Sequence, residues 1–90
     1  MMIVQVNYTR PAMPKAEWEA RYTDDRAKQF LAVPGLQWKI WLDGEEDRRA
    51  GGIYLFRSRA AADAYHAKHA ARLGKAGITG IEATYRTYNA

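Results

Sequence analysis

The order of strand-like and helix-like patterns along the 90 residues constrains the fold of this chain more than any other feature. An alternating, β-branched segment at residues 2–8 precedes a stretch with helical spacing, and two further alternating segments follow it. An alanine-rich helical stretch and a last alternating segment complete the chain. This order, β-α-β-β-α-β, is that of a split pair of βαβ units. We therefore expect one α+β domain over residues 1–90, with two helices on one face of a four-stranded antiparallel sheet.

Prolines, glycines and one serine set the bounds of these elements. Pro11 and Pro14 separate the first strand from the first helix. The segment VPG at 33–35 ends that helix, because a residue before proline avoids the helical conformation. Ser58 is a favourable N-cap for the second helix, and Gly77 marks its end. The sequence predicts strands at 2–8, 36–42, 50–56 and 78–88, helices at 15–32 and 59–75, and a polar hairpin loop at 43–49.

The second and third strands differ in the pattern of their side chains. The third is apolar on both faces and is expected at a central position, and Gly51 and Gly52 within it indicate a bulge or a close backbone approach. The second alternates, and its Lys39 is interpreted as a solvated charge. One face of this strand is expected to carry Leu36, Trp38, Ile40 and Leu42, and the other Gln37, Lys39 and Trp41.

Composition excludes several classes of protein. The chain has no cysteine, which excludes disulfides and thiolate chemistry. The net charge of +4 is spread along the chain, so we expect no nucleic-acid partner. No segment approaches the roughly 18 apolar residues of a membrane helix, and the N-terminus has no pattern of a signal peptide. We expect a protein of the cytoplasm that does not bind a membrane.

Aromatic residues are numerous, with three Trp, six Tyr and two Phe. Two helices cover only one face of the predicted sheet, and a large exposed apolar face usually marks an interaction surface. We therefore expect a homodimer in which the two sheets cover one another. The uncovered face is expected to carry some of Trp38, Trp41, Tyr54, Phe56 and Tyr85.

The only two histidines, His66 and His69, lie three residues apart on the second predicted helix. His69 shares a helical stripe with Tyr65 and Leu73, so it should face the sheet, whereas His66 should flank it or be exposed. A metal pair is the weaker interpretation, because the spacing is i, i+3 and no carboxylate is placed to complete a site. His69 is either a hydrogen-bonded core histidine or a proton carrier facing a pocket, and the residues alone leave both open.

Two amides on the first strand pose a similar choice. Gln5 and Asn7 lie on the same face as Ile3, and buried amides need hydrogen-bond partners. They either bond to neighbouring groups or point into a cavity and hold a ligand oxygen. The rings of Trp38, Trp41, Tyr54 and Tyr65 are likewise either core or pocket walls.

Two segments of the sequence are distinctive together, VPGLQWKIWLDGEEDRRAGGIYLF at 33–56 and AYHAKHAARL at 64–73. They resemble the YdhR family of monooxygenases, which belongs to the dimeric α/β-barrel superfamily. The resemblance implies a ferredoxin-like subunit that pairs into a barrel of two sheets. The matching residues are Pro34, Gly35, Trp38, Lys39, Trp41, 50–56, Ala64, Tyr65, Lys68, His69, Ala71, Arg72, Leu73 and Gly77.

The resemblance also implies a function. It suggests a cofactor-independent monooxygenase that acts on a small phenolic or quinol-like aromatic with O2, without metal, flavin or haem. Such chemistry needs a base, donors for an anion and an apolar cavity. His69 matches the helix histidine of the family and is the candidate base, while Asn7 stands where a relative has histidine. The candidate site comprises His69 and Asn7 as catalytic residues and Gln5, Trp38, Trp41, Tyr54 and Tyr65 as substrate-binding residues.

Two other functions are compatible with the residues. A haem-binding or haem-degrading relative would use a helix histidine as axial ligand with a strand asparagine nearby, as His69 and Asn7 could. A dimer without catalytic activity, binding a small ligand or none, would have a collapsed interior with no room for a ring.

Overall fold

The computed structural model describes residues 1–44 and 48–87 and has one four-stranded antiparallel sheet. Across this sheet the second strand of the chain lies beside the third, the third beside the first, and the first beside the fourth. This topology confirms the predicted α+β fold, which is ferredoxin-like. Residues 45–47 of the predicted hairpin loop and Tyr88 of the predicted last strand lie outside the described residues. The elements are β1 (Met2–Thr9), α1 (Lys15–Glu19), α2 (Asp24–Gln29), a 3₁₀ turn (Phe30–Ala32), β2 (Leu36–Asp43), β3 (Arg49–Phe56), α3 (Arg59–Lys75) and β4 (Thr79–Thr87).

The single helix predicted at 15–32 is wrong, because the chain forms α1, α2 and the 3₁₀ turn there. The break has a local cause at Thr23, which has an extended backbone and caps α2 by accepting a hydrogen bond from the Arg26 amide at 3.2 Å. Asp24 and Asp25 follow in the first turn, where carboxylates favour a helix N-terminus. The second predicted helix is confirmed as α3, and Ser58 caps it by accepting from the Ala61 amide.

The helices cover one face of the sheet, and the core lies between them. Alternate residues of β1 point to this covered face, beginning with Met2, and their neighbours on β3 point the same way. From α3, Leu73 packs into the same core. The buried residues of this core are Met2, Val4, Val6, Tyr8, Trp18, Ala50, Tyr54, Phe56, Ala62, Leu73 and Ile78.

The edge strand β2 pairs with β3 in an irregular register, so its side chains are distributed over the two faces differently from the prediction. Leu36 pairs with Phe56, but Trp38 pairs with Leu55, so the ladder shifts between these two pairs. Leu36 therefore packs against the core, and its predicted place on one face with Trp38 is wrong. Beyond the shift, Lys39 pairs with Tyr54, so Lys39 lies on the covered face.

The strand β3 lies in the interior of the sheet between β2 and β1, as its apolar pattern predicts. Gly51 also confirms the predicted close approach, because a Cβ atom at this position would collide with the carbonyl oxygen of Val6.

The open face of the sheet carries few of the rings expected there. Of the five candidate rings only Trp38 lies on it, since Trp41, Tyr54, Phe56 and Tyr85 are in register with covered-face positions. The register shift of β2 exchanges the two Trp rings, because it places Trp38 on the open face and Trp41 on the covered face. Large apolar side chains are nevertheless exposed on this face, with Trp38 at 42% and Ile40 at 54% exposure. Among the described residues, no helix has the length and apolar character needed to cross a membrane.

Candidate active site

His69 projects from α3 into the core. Its side chain is 5% exposed, as its place on one helical stripe with Tyr65 and Leu73 predicts. The imidazole stacks on the Tyr65 ring at 5.2 Å and 21°, and its Nε2 lies 3.5 Å from the Tyr54 hydroxyl. The structure therefore brings together three of the predicted site residues, His69, Tyr54 and Tyr65.

The protonation state of His69 follows from its neighbour Arg72. The Arg72 guanidinium donates to Nδ1 of His69 at 3.0 Å, and arginine can only donate, so Nδ1 must accept. Burial, together with the positive charges of Lys39 and Arg72, lowers the pKa of His69 from 6.5 to about 3. The ring is thus neutral with its proton on Nε2. This arrangement makes His69 a hydrogen-bond donor, whereas the role expected for it was that of a base.

Lys39 is the site residue that the sequence analysis missed. Its Nζ lies 3.7 Å from the centre of the Phe30 ring, 4.8 Å from that of Tyr54 and 5.0 Å from that of Trp41. The interpretation of Lys39 as a solvated charge is therefore wrong. The pattern of β2 contained an indication, because Lys39 alternates in phase with Trp41 and so shares its face.

The surroundings of Lys39 disfavour its charged form. Burial is the largest effect, followed by repulsion from Arg26 and Arg72, and together they lower the pKa of Lys39 from 10.5 to about 7. The ring faces attract a cation, with energies of about 0.5–2 kcal/mol, and so oppose part of this effect. A substantial fraction of neutral amine at neutral pH is the result.

Two cavities meet at Lys39. A cleft of about 210 Å³ lies between the edge strand β2 and the segment formed by α2 and the 3₁₀ turn. A much smaller cavity of about 20 Å³ lies deeper, beside His69. Lys39 and Trp41 border both. The walls of the larger cleft are Ala27, Phe30, Leu31, Leu36, Gln37, Trp38, Lys39 and Trp41.

A further cleft of about 310 Å³ lies between the 3₁₀ turn and α3. Tyr65 is its only ring among the described lining residues, and Lys68 and Arg72 give it a basic wall. It is larger than the cleft at β2, but neither Lys39 nor the imidazole of His69 borders it. Lys39, whose Nζ lies among the rings of the core, therefore borders the β2 cleft and not this one.

The remaining predicted site residues are divided between the two faces of the sheet. Trp41 belongs to the covered face, where its ring packs against Tyr22 at 5.2 Å, and Trp38 lies at the rim of the β2 cleft. Gln5 and Asn7 lie on the open face, and the Gln5 amide donates to the Asn7 oxygen at 3.4 Å. The expected grouping of Asn7 and Gln5 around one ligand with His69 is corrected for the single chain, because the sheet separates them. Ligand-binding roles for the two amides stay predictions.

Haem does not fit the described arrangement. An axial bond would require Nε2 of His69, since Nδ1 is held by Arg72, but Nε2 faces the Tyr54 hydroxyl and a cavity of only about 20 Å³. Asn7, the expected neighbour of a bound haem, lies across the sheet. Within residues 1–44 and 48–87, no three His, Asp or Glu side chains form a cluster able to hold a metal ion.

The fold is a ferredoxin-like α+β domain with a buried polar site among aromatic rings. The model of the family described as "Putative mono-oxygenase ydhR" matches residues 3–90, so the chain belongs to this family. This finding confirms the resemblance carried by residues 33–56 and 64–73. A search of curated proteins finds no match to the chain.

Two solved structures share the fold. One is a "putative antibiotic biosynthesis monooxygenase" from Deinococcus radiodurans, with a TM-score of 0.72 and 10% identity over 100% of this chain and 94% of that chain. The other is a mutant of SnoaB, a cofactor-independent oxygenase from Streptomyces nogalater, with a TM-score of 0.65 and 22% identity over 99% of this chain and 94% of that chain. At these identities the likeness establishes the fold alone.

Proposed function

We propose that the protein is a cofactor-independent monooxygenase that inserts oxygen into a small phenolic or quinol-like aromatic. The observation that carries this proposal is the ring-lined cleft of about 210 Å³ that ends at the amine of Lys39. A cavity of roughly 150 Å³ accepts benzene, so a single substituted ring fits this space. The name of SnoaB, a cofactor-independent oxygenase of the same fold, supports the same chemistry. An inactive dimer with a collapsed interior is disfavoured by the open cleft.

The proposed reaction balances with O2 as the only oxidant. A phenol loses its hydroxyl proton and becomes an electron-rich phenolate, which passes one electron to O2 and becomes a phenoxyl radical beside superoxide. A bond then forms between a ring carbon and oxygen, giving a peroxide. Loss of the proton on that carbon forms a carbonyl while the O–O bond breaks. One oxygen atom ends in the quinone product, and the other leaves as water with the two protons.

The small cavity beside His69 is suited to the oxygen half of this reaction. Its volume of about 20 Å³ exceeds the roughly 10–15 Å³ that one water requires, so a diatomic molecule is of a suitable size. The positive side chains of Arg21 and Arg26 border it and favour a reduced, anionic oxygen species. The Nε2–H group of His69 would donate to the same anion, as donors do when charge develops in a dry site.

The substrate-binding residues follow from the walls of the cleft. Trp41 and Trp38 would enclose the ring of the substrate, with Trp41 also separating it from the small cavity. Tyr54 and Tyr65 would act behind them by holding the imidazole of His69 in place. Trp38 also extends over the open face of the sheet.

A homodimer is part of the proposal. The open face exposes Trp38 and Ile40, and the neighbouring strand adds the half-buried Ile53 in register with Ile40. An apolar face of this kind is expected to be covered in solution. A second copy of the sheet would cover it by two-fold symmetry.

Oxygen consumption tests the proposed function. The purified protein is mixed with a panel of phenols and hydroquinones, and O2 uptake is followed with an oxygen electrode. We expect uptake with at least one of them, and ¹⁸O2 should place one labelled atom in the product and one in water. The variant His69→Ala should lower the rate by about 10²–10³-fold, the loss expected for one anion-stabilising donor.

The variant His66→Ala is the matched control, since His66 lies on the same helix but borders none of the described cavities. Its rate should stay close to that of the unaltered protein. Absence of O2 uptake with every phenol would contradict the proposed function. Equal rates for the His69→Ala variant and the unaltered protein would remove His69 from the mechanism.

A further inference from the structure

We propose that the amine of Lys39 is the base that removes the phenolic proton from the substrate, an inference that rests on the proposed function. The amine is the only nitrogen base of the described residues that borders the β2 cleft. It also borders the small cavity beside His69, so it stands between the proposed places of the ring and of O2.

The packing around Lys39 supports a neutral amine that is ready to accept a proton. Among the described residues no carboxylate lies within ion-pair distance of its Nζ. Three rings, from Phe30, Tyr54 and Trp41, have their centres 3.7, 4.8 and 5.0 Å from its Nζ and leave less room for water around it. An incoming phenol would therefore meet a poorly solvated amine.

The charges around Lys39 are positive. Burial and the two guanidinium groups of Arg26 and Arg72 bring the pKa of Lys39 to about 7, in the range where a general base works best at neutral pH. Proton transfer to Lys39 would place a phenolate beside its ammonium, and this new ion pair offsets the cost of charging the lysine. Among the described residues, the titratable or charged side chains that border the small cavity with Lys39 are Tyr8, Arg21, Tyr22, Arg26 and His69. Tyr54 adds a ring contact, and Arg72 adds a positive charge that acts on the amine.

The neighbouring groups are poorer bases. The lone pair of His69 on Nδ1 is occupied by Arg72, and its Nε2 carries the proton. Burial raises the pKa of Tyr54, so its hydroxyl stays protonated. Among the described residues, Lys39 is the one that combines a nitrogen lone pair with a place on the wall of the cleft.

Lys39 can carry both protons of the reaction. Its amine takes the phenolic proton, and the ammonium that results returns this proton to the peroxide. The amine then removes the proton of the oxygenated carbon while the O–O bond breaks. The ammonium finally gives this second proton to the departing hydroxide, which leaves as water, and the neutral amine is restored.

Binding of 4-nitrophenol tests the proton transfer without turnover. The nitrophenolate absorbs visible light and the neutral phenol does not, so the spectrum reports the ionisation of the bound probe. At a pH just below the pKa of the free phenol, the protein should convert the bound probe to the phenolate, whereas Lys39→Met should leave it neutral. Lys28→Met, which removes an exposed lysine of α2, should behave like the unaltered protein.

The pH dependence of oxygenation separates a base from a mere positive charge. In the unaltered protein kcat/KM should fall below a pKa near 7, and Lys39→Met should lower it by about 100-fold at neutral pH. Lys39→Arg keeps a charge among the rings but accepts no proton, so its rate should instead rise with the ionisation of the free phenol. Circular dichroism of each variant, compared with that of the unaltered protein, checks that the substitution leaves the fold intact.

The outcomes distinguish the two proposals. If phenols are oxygenated and the Lys39→Met variant turns over as fast as the unaltered protein, the inference about Lys39 is overturned while the proposed function stands. An unchanged spectrum of bound 4-nitrophenol in the unaltered protein also overturns it. If bound nitrophenolate forms through Lys39 but no phenol consumes O2, the proton transfer stands and the oxygenase function fails.

Discussion

The two faces of the sheet are built by the same strands but differ in their burial and in the side chains that they carry. The covered face places Lys39 and His69 among rings, and both have a pKa below the ordinary value because burial and neighbouring cations disfavour their charged forms. The open face carries the amides of Gln5 and Asn7 together with exposed aliphatic side chains such as Ile40. Burial therefore perturbs two titratable groups on the covered side, while the open side exposes large apolar side chains.

The largest predicted difference between the faces is in the stability that is lost when a large side chain is truncated to alanine. Phe56, on the covered face, is 1% exposed and contacts the rings of Tyr54 and Tyr65. Phe56→Ala should lower the free energy of unfolding by about 3–5 kcal/mol, because it removes buried area and leaves a cavity. Ile40→Ala, on the open face, should lower it by less than about 1 kcal/mol in the monomer. Urea denaturation at low protein concentration measures both.

The same pair of variants also tests the homodimer. If two sheets cover one another, the effect of Ile40→Ala should grow as the protein concentration rises, because association stabilises the folded state. The effect of Phe56→Ala should not depend on concentration in this way. An equal loss in both variants at low concentration would contradict the asymmetry of the two faces.

The sequence was sufficient to predict the fold because alternation and helical spacing were clear in most elements. The stripe of Tyr65, His69 and Leu73 correctly placed His69 toward the sheet. The helix at 15–32 was predicted too long, since the capping group of Thr23 competes with a helical periodicity that continues across it. Local capping decided the outcome there, and a threonine followed by two aspartates was its sequence indication.

The site was harder to predict than the fold because a period of two does not reveal which face is covered. Asn7 was placed correctly with Ile3, but no feature of the sequence indicated that the sheet separates it from His69. Lys39 was interpreted by its residue type, which is usually solvated, although its phase matched that of Trp41. Only the three rings from separate elements, which the fold brings together, reveal its environment.

The next largest predicted effect is a loss of folding stability at acidic pH that is caused by His69. Its pKa is about 3 in the folded state and 6.5 when unperturbed, so between these values the unfolded chain binds the proton and the folded protein does not. The stability contribution is present above 6.5 and is lost as the pH falls toward 3, by up to about 1.4 kcal/mol per pH unit. Denaturation at several pH values should show this slope, and His69→Gln should reduce it. His66→Gln should retain it, and an unchanged slope in the His69 variant would place the cause elsewhere.

A smaller dependence of folding stability on pH is expected from Lys39 at basic pH. The pKa of about 7 in the folded state lies below the ordinary 10.5, so the unfolded chain binds more protons between these values. Stability should therefore rise as the pH increases from 7 toward 10.5, by less than about 1.4 kcal/mol per unit because the amine is only partly buried. Lys39→Met should remove this rise and Lys28→Met should not. If ¹³C NMR shows that Lys39 titrates near its ordinary pKa, the result contradicts both the predicted rise of stability with pH and the poorly solvated environment of the amine.

The smallest predicted effect is the energetic coupling between side chains that lie on opposite faces of the sheet. A double-mutant cycle of Asn7→Ala and His69→Ala should be additive in stability within about 0.3–0.5 kcal/mol, because the sheet separates the two side chains. By contrast, Tyr54→Phe and His69→Ala should couple by about 0.5–3 kcal/mol, since the hydroxyl and Nε2 face each other at 3.5 Å. The same cycles measured on kcat/KM extend the comparison to the reaction. Strong coupling of Asn7 to His69 there would mean that one ligand reaches both faces, and the separation of a reactive face from an associating one would no longer hold.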